Sequence, residues 1–108
     1  MVRNVLFVCS QNRLRSPTAE QVFADWPGIE TASAGLKPDA EVPVTPELLQ
    51  WADLIMVMEP VHKRRLVERF QPWLRDKRVV SLGIADDYDF MAPALVQLLK
   101  QKVPPLLR

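Results

Sequence analysis

The sequence contains very few of the residues that build disulfides, zinc sites and nucleotide-binding loops. Its only cysteine, Cys9, cannot form an internal disulfide, and with the only histidine, His62, it cannot supply the usual four nitrogen and sulfur ligands of zinc. The three glycines, Gly28, Gly35 and Gly83, lie too far apart for a glycine-rich loop of the dinucleotide or Walker type. We therefore expect no disulfide scaffold, no metal and no cofactor.

An excess of one charge and a long apolar run are also lacking. The chain has 14 Lys and Arg against 13 Asp and Glu, a formal net charge of +1, which gives little general attraction to nucleic acid or to a membrane surface. No apolar stretch approaches membrane-spanning length, and the N-terminus has no extended apolar signal segment. We expect a cytoplasmic protein that binds neither nucleic acid nor membrane. The sequence leaves the oligomeric state open.

The apolar pattern predicts an α/β fold. With 108 residues, 48% of them apolar, residues 1–108 are expected to form one domain. Apolar runs rich in β-forming residues cover residues 4–8, 29–32, 54–58 and 78–82, and helical segments separate them. Near-continuous apolar strands are typical of a parallel sheet that is buried on both faces. The prediction is a three-layer αβα domain with a four-stranded parallel sheet.

Helix starts are marked by proline next to a capping residue. Ser16 and Pro17 fit the N-cap and first position of a helix whose inner face carries Ala19, Val22, Phe23 and Trp26. Further helices are predicted from Thr45 to about Ala52, from Pro60 with Leu66, Val67 and Phe70 facing inward, and from about Pro93 to before Pro104. Residues 62–65, His-Lys-Arg-Arg, are interpreted as the solvated face of a helix, and residues 37–43 as a loop.

The spacing from Cys9 to Arg15 is the most informative feature that is present. A strand that ends in Cys9, a short loop and a helix at Pro17 would direct the backbone N–H groups of residues 10–15 at one point, where an anion is favoured. The same field favours the thiolate form of a cysteine, which is the nucleophile. Arg15 offers a planar fork for two phosphoryl oxygens. A small buried apolar residue is the alternative interpretation of a lone cysteine, but Arg15, Ser16 and Pro17 favour a phosphate loop.

Carboxylates follow the last predicted strand. Ligands of parallel sheets bind at the carboxyl ends of the strands. Cys9 ends the first strand, and residues 86–89, Asp-Asp-Tyr-Asp, follow the fourth. A carboxylate is therefore expected within reach of the thiolate.

These motifs resemble the low-molecular-weight protein tyrosine phosphatases over most of the chain. The matching residues are 5–9 (Val-Leu-Phe-Val-Cys), Asn12, 15–17 (Arg-Ser-Pro), 19–20 (Ala-Glu), 33–35 (Ser-Ala-Gly), 53–55 (Asp-Leu-Ile) and Met58. The resemblance implies a metal-free α/β enzyme that works through a phosphocysteine. It implies Cys9 as nucleophile, Arg15 as phosphate clamp and Asp86 as general acid. It also implies that Ser16 stabilises the thiolate and that Asn12 and Ser33 support the loop.

The chain departs from this family at several positions. Gln11 stands where the family usually has glycine, Arg13 where it has an apolar residue, and Leu14 where many members have a second cysteine. Asp87 replaces the proline after the general acid, so Asp86 and Asp87 remain rival proton donors. The chain is also shorter than typical members between Gly35 and Val44, where the family carries part of its pocket rim.

The expected function is a phosphomonoester hydrolase of the tyrosine phosphatase type, acting on a phosphorylated protein or a small phosphomonoester. The expected phosphate-binding residues are Ser10, Gln11, Asn12, Arg13, Leu14, Arg15 and Ser16, with Cys9, Arg15 and Asp86 as the catalytic residues. The alternative is a non-catalytic module that binds phosphate or a phosphoprotein with the same loop.

Overall fold

The computed structural model describes residues 3–107. Strands and helices alternate along the chain: β1 (Arg3–Cys9), α1 (Arg15–Val22), β2 (Ile29–Gly35), α2 (Pro46–Trp51), β3 (Leu54–Val57), α3 (Pro60–Phe70), β4 (Arg78–Ser81) and α4 (Pro93–Lys102), with short 3-10 helices at Gln71–Trp73 and Pro104–Leu107. No helix within residues 3–107 is long and apolar enough to cross a membrane.

The four strands form one parallel sheet in the order β2-β1-β3-β4, which confirms the predicted fold class. The central strands β1 and β3 are apolar along nearly their whole length because both of their faces are buried. One face packs against α1 and α4 through Phe7, Phe23, Leu95 and Leu99. The other packs against α2 and α3 through Leu6, Ile55, Leu49 and Leu66. In this register Cys9 pairs with Gly35, so both residues lie at the carboxyl edge of the sheet.

Helix α1 differs from the prediction at both ends. It begins at Arg15 with Leu14 at the N-cap, and no side chain caps it. The predicted cap, Ser16, is fully buried inside the first turn instead. The helix ends at Val22, and Trp26 lies beyond it with 38% of its surface exposed, packed edge-on against Phe23. The predicted inner face is therefore wrong at Trp26.

The other helix starts agree with the sequence. Thr45 accepts a hydrogen bond from the Leu48 N–H at 3.2 Å and caps α2, and proline stands in the first turn of α2, α3 and α4. Within α3, Leu66 and Phe70 are buried as predicted, but Val67 is 37% exposed. The apolar face of α3 is therefore narrower than the prediction.

Candidate active site

The loop between β1 and α1 is anchored by the segment that follows β2. Three N–H groups of this segment donate to three successive carbonyl oxygens of the loop: Leu36 to Cys9 at 3.0 Å, Lys37 to Ser10 at 2.9 Å and Glu41 to Gln11 at 3.1 Å. No cis peptide bond occurs in the described chain. In a trans peptide the N–H points opposite to the carbonyl, so residues 10–12 direct their N–H groups to the other side. This is the side on which Cys9 Sγ lies.

The Cys9 sulfur is surrounded by hydrogen-bond donors. The Asn12 backbone N–H donates to Cys9 Sγ at 3.2 Å, and Ser16 Oγ lies 2.9 Å from the same sulfur. The Asn12 side-chain amide donates to Ser16 Oγ at 3.0 Å. The Ser16 hydroxyl proton has two acceptors in reach, Cys9 Sγ at 2.9 Å and the Ala34 carbonyl oxygen at a longer 3.5 Å. The Asn12 N–H and the Ser16 hydroxyl therefore converge on one sulfur atom.

Asn12 and Gly35 make this loop conformation possible, the first by its backbone angle and the second by its lack of a side chain. Asn12 has a φ of +56°, in the left-handed region that asparagine tolerates better than most side chains. Gln11 has no positive φ, so its side chain brings none of the backbone strain that glycine avoids. Gly35 permits the close approach of the anchoring segment, because a Cβ there would meet Ala40 Cβ at 2.6 Å, Ser10 O at 2.7 Å and Asn12 N at 2.9 Å.

Arg15 is buried and oriented through one of its terminal nitrogens. Its Nη1 donates to Glu59 Oε2 at 2.8 Å and to the Ile84 carbonyl at 2.7 Å, and only 3% of its side chain is exposed. A buried charge needs such partners. No hydrogen bond from Nη2 is found among residues 3–107. That nitrogen remains available to an oxygen of a bound phosphoryl group.

Asp86 lies beside Arg15 at the open end of the site. Its Oδ1 is 3.6 Å from Arg15 Nε, and 67% of its side chain is exposed. Asp86 lines the same cavity as Cys9, whereas Asp87 is not among the described residues that line it. The geometry therefore favours Asp86 over Asp87 as the group that reaches a substrate.

The cavity over Cys9 has a volume of about 380 Å³. Its described lining residues are Cys9, Ser10, Gln11, Arg13, Leu14, Arg15, Lys37 and Asp86. Of the predicted phosphate-binding residues, Asn12 and Ser16 do not line this cavity. Both are buried on the inner side of the site and contact the Cys9 sulfur instead. Ser33 does not support the loop, since its hydroxyl donates to the Glu20 carboxylate on α1.

The interpretation of His62 as a solvated residue is wrong. Only 1% of His62 is exposed, whereas Lys63, Arg64 and Arg65 are exposed as predicted. The backbone N–H of Glu59 donates to His62 Nδ1 at 3.2 Å, so the neutral ring carries its proton on Nε2 and donates to Ser10 Oγ at 3.0 Å. Burial, and secondarily the positive charge of Arg15, lower the pKa of His62. His62 thus connects the start of α3 to the phosphate loop in its neutral form.

Sequence reasoning missed three residues of this site: Glu59, His62 and Lys37. A signal existed for Glu59, because it follows β3 at the carboxyl edge of the sheet and precedes Pro60 at a helix start. His62 stands at the third position of that helix, where side chains commonly bond back to the N-cap. Lys37 follows β2 at the same edge. Within the described chain, no three His, Cys, Asp or Glu side chains cluster as a metal would require.

Solved structures of known phosphatases match this fold. The tyrosine phosphatase AmsI of Erwinia amylovora is 29% identical, with a TM-score of 0.73 over 94% of this chain and 89% of that chain. The YwlE arginine phosphatase of Geobacillus stearothermophilus is 24% identical, with a TM-score of 0.77 over 97% and 93%. A YwlE cysteine-to-serine mutant with a phosphorylated active-site serine is 26% identical, with a TM-score of 0.74 over 97% and 96%.

No protein-family model and no curated protein matches the sequence. The assignment therefore rests on these structures together with the loop geometry that the chain itself shows. In this chain Cys9 ends the first strand of a four-stranded parallel sheet and begins a loop that leads into a helix, and this placement fits the phosphate-binding loop of those phosphatases. The chain is similar in fold and in its cysteine loop to low-molecular-weight protein tyrosine phosphatases.

Proposed function

We propose that this protein is a cysteine-dependent phosphatase that hydrolyses phosphomonoesters through a phosphocysteine on Cys9. The observation that carries the proposal is the surroundings of the Cys9 sulfur, which accepts the Asn12 N–H and lies 2.9 Å from the Ser16 hydroxyl beside the buried Arg15. This combination places a nucleophilic sulfur and a binding site for an anion at one point. Similar structures include phosphatases and a mutant whose active-site serine is phosphorylated.

In the first step, Cys9 Sγ attacks phosphorus in line with the ester oxygen. The sulfur–phosphorus bond forms as the phosphorus–oxygen bond breaks, and Asp86 transfers its proton to the departing oxygen. The loop N–H groups and the free Arg15 Nη2 bind the non-bridging oxygens, where charge is greatest in the transition state. Glu59 holds Arg15 in the orientation this requires.

In the second step, water attacks the phosphocysteine. Asp86, now ionised, takes a proton from that water, the new phosphorus–oxygen bond replaces the sulfur–phosphorus bond, and inorganic phosphate leaves with Cys9 again a thiolate. Fixed dipoles and one guanidinium supply the charge stabilisation in both steps, so the scheme requires no cofactor.

The proposal extends to substrate, domain and compartment. The substrate is a phosphorylated protein or a small phosphomonoester, with tyrosine phosphatase activity as the reference reaction. Residues 1–108 form one phosphatase domain. The compartment is the cytoplasm, because a reducing environment keeps a lone catalytic cysteine as a thiol.

Phosphate trapping tests the proposal. Wild-type protein should hydrolyse an aryl phosphate in a vanadate-sensitive reaction. Cys9→Ser should lose turnover and acquire one phosphoryl group on the introduced hydroxyl, detectable by mass spectrometry, while Cys9→Ala, which has no acceptor atom, should acquire none. Wild-type protein that binds inorganic phosphate but turns over no ester would instead be the non-catalytic binding module.

A further inference from the structure

The cations around the Cys9 cavity differ in how their charges are balanced. Arg15 contacts the carboxylates of Glu59 and Asp86. Arg13 lies 3.6 Å from Glu41 Oε1. Lys37 lines the same cavity, yet no carboxylate of residues 3–107 lies within 4 Å of its ammonium group. Among the cations that line the cavity, Lys37 is therefore the one whose charged group contacts no carboxylate of the described residues.

The backbone fixes the position of Lys37 next to the phosphate loop. Its N–H donates to the Ser10 carbonyl at 2.9 Å, and its own carbonyl accepts from the Ala40 N–H at 3.0 Å. These bonds tie the residue to the loop that surrounds the sulfur, although its side chain is exposed. The backbone of Lys37 is therefore held beside the loop, and its exposed side chain extends from there toward the space outside a phosphoryl group over Cys9.

The same rim offers no aromatic surface. None of the described residues lining the cavity is aromatic. Tyr88, which lies two positions after Asp86, packs against the hydrophobic cluster of α1 and α4. Phe90 is 47% exposed but borders a separate cavity of about 550 Å³ beside α1, which contains neither Cys9 nor Arg15. The residues around the cavity therefore offer a leaving group charged contacts, and no aromatic ring on which it could stack.

We propose that Lys37 binds a second anionic group of the substrate on its leaving-group side, so that the preferred substrates are phosphomonoesters whose leaving group itself carries an acid. This inference rests on the proposed phosphatase function and specifies its substrate class. A cationic leaving group, such as the guanidinium of phosphoarginine, is disfavoured because Lys37 repels it. The contribution is that of a solvent-exposed ion pair, roughly threefold to fivefold in relative rate or affinity.

Phenyl phosphates with different meta substituents isolate this charge effect. For the wild-type protein, kcat/KM should decrease in the order 3-carboxyphenyl, phenyl and 3-(aminomethyl)phenyl phosphate. Lys37→Gln should bring the ratio of the first two close to one. Lys100→Gln, which removes an exposed lysine of α4, is the matched control and should keep the wild-type ratio.

Binding of phosphonates separates this inference from the function on which it rests. Affinities of 3-carboxyphenylphosphonate and phenylphosphonate, measured by calorimetry, need no turnover. A protein that hydrolyses no ester but shows the Lys37-dependent preference would overturn the proposed function and support the anion site. Equal affinities in the wild type would overturn the anion site. So would a preference that survives in Lys37→Gln and disappears in Arg13→Gln.

Discussion

Substitution of His62 by asparagine and by glutamine separates its two hydrogen bonds. The Asn amide can reach the position of the ring Nδ1, which accepts the Glu59 N–H at 3.2 Å, while the Gln amide can reach the position of Nε2, which contacts Ser10 Oγ at 3.0 Å. His62→Asn should therefore keep the helix cap and lose the loop contact. His62→Gln should do the reverse.

Each lost hydrogen bond has a measurable cost. A missing N-terminal capping bond typically destabilises by about 1 kcal/mol, and a buried hydrogen bond contributes a similar amount. For a chain of this size about 1 kcal/mol lowers Tm by roughly 4 °C. Both variants should therefore melt several degrees below the wild type at neutral pH. Only His62→Asn should also lower kcat/KM strongly, because it alone releases Ser10 in the phosphate loop.

Acidification provides an independent measurement on the same residue. Burial and Arg15 lower the pKa of His62 in the folded protein, while in the unfolded chain it stays near its ordinary value of about 6.5. As pH falls below about 6.5 the unfolded state takes up a proton that the folded state resists, so the free energy of unfolding falls, by at most about 1.4 kcal/mol per pH unit. His62 is the only histidine, and neither variant can titrate there.

The stability difference between wild type and His62→Gln should therefore shrink as pH falls from about 7.5 to about 5.5. Urea denaturation at each pH gives this difference directly, and the carboxylates, common to both proteins, largely cancel. Lys63→Gln, at an exposed neighbouring position, should track the wild type at every pH. A difference that stays constant across this range would refute the account, since His62 would then titrate equally in the folded and unfolded states.

Two further predictions concern the backbone of the site and its proton donor. Gly35→Ala places a Cβ 2.7 Å from a loop carbonyl oxygen, so it should destabilise the protein by about 1–3 kcal/mol in urea denaturation and lower phosphate affinity; unchanged stability would mean that the anchoring segment can move. Asp86→Asn should slow phenyl phosphate by about 100- to 10,000-fold but slow nitrophenyl phosphate far less, because that leaving group departs without a proton. Asp87→Asn is the matched control, and the same selective loss there would transfer the role to Asp87.

The fold could be predicted from local patterns because the strands that determine it are buried on both faces. In β1 and β3 nearly every position meets the core, so the signal is a continuous apolar run that no surface constraint interrupts. The helix starts at Pro46, Pro60 and Pro93 could also be predicted from neighbouring residues alone, since proline in a first turn requires no tertiary partner.

The errors at Trp26 and Val67 concern apolar residues that lie beyond α1 and on the exposed side of α3. The errors at Ser16 and His62 arose where a polar side chain has a tertiary partner. Ser16 has the sequence context of an N-cap, but its hydroxyl contacts Cys9 Sγ and Asn12 instead of capping α1. His62 lies on a helix with a charged outer face, and the amphipathic pattern assigned it to solvent. Its actual partners, Glu59 and Ser10, are respectively a helix cap and a loop residue 52 positions away. No periodicity within one element carries that information.

The segment after β2 shows why the site could be found from the sequence. Residues 36–41 donate three backbone hydrogen bonds to the outer side of the loop that holds Cys9. These bonds orient the peptide groups, and they depend on Gly35 and on backbone atoms rather than on particular rim side chains. The loop and its anchor therefore build the proposed anion site, whereas exposed side chains such as Lys37 line the opening of the cavity, where we propose that substrates are distinguished.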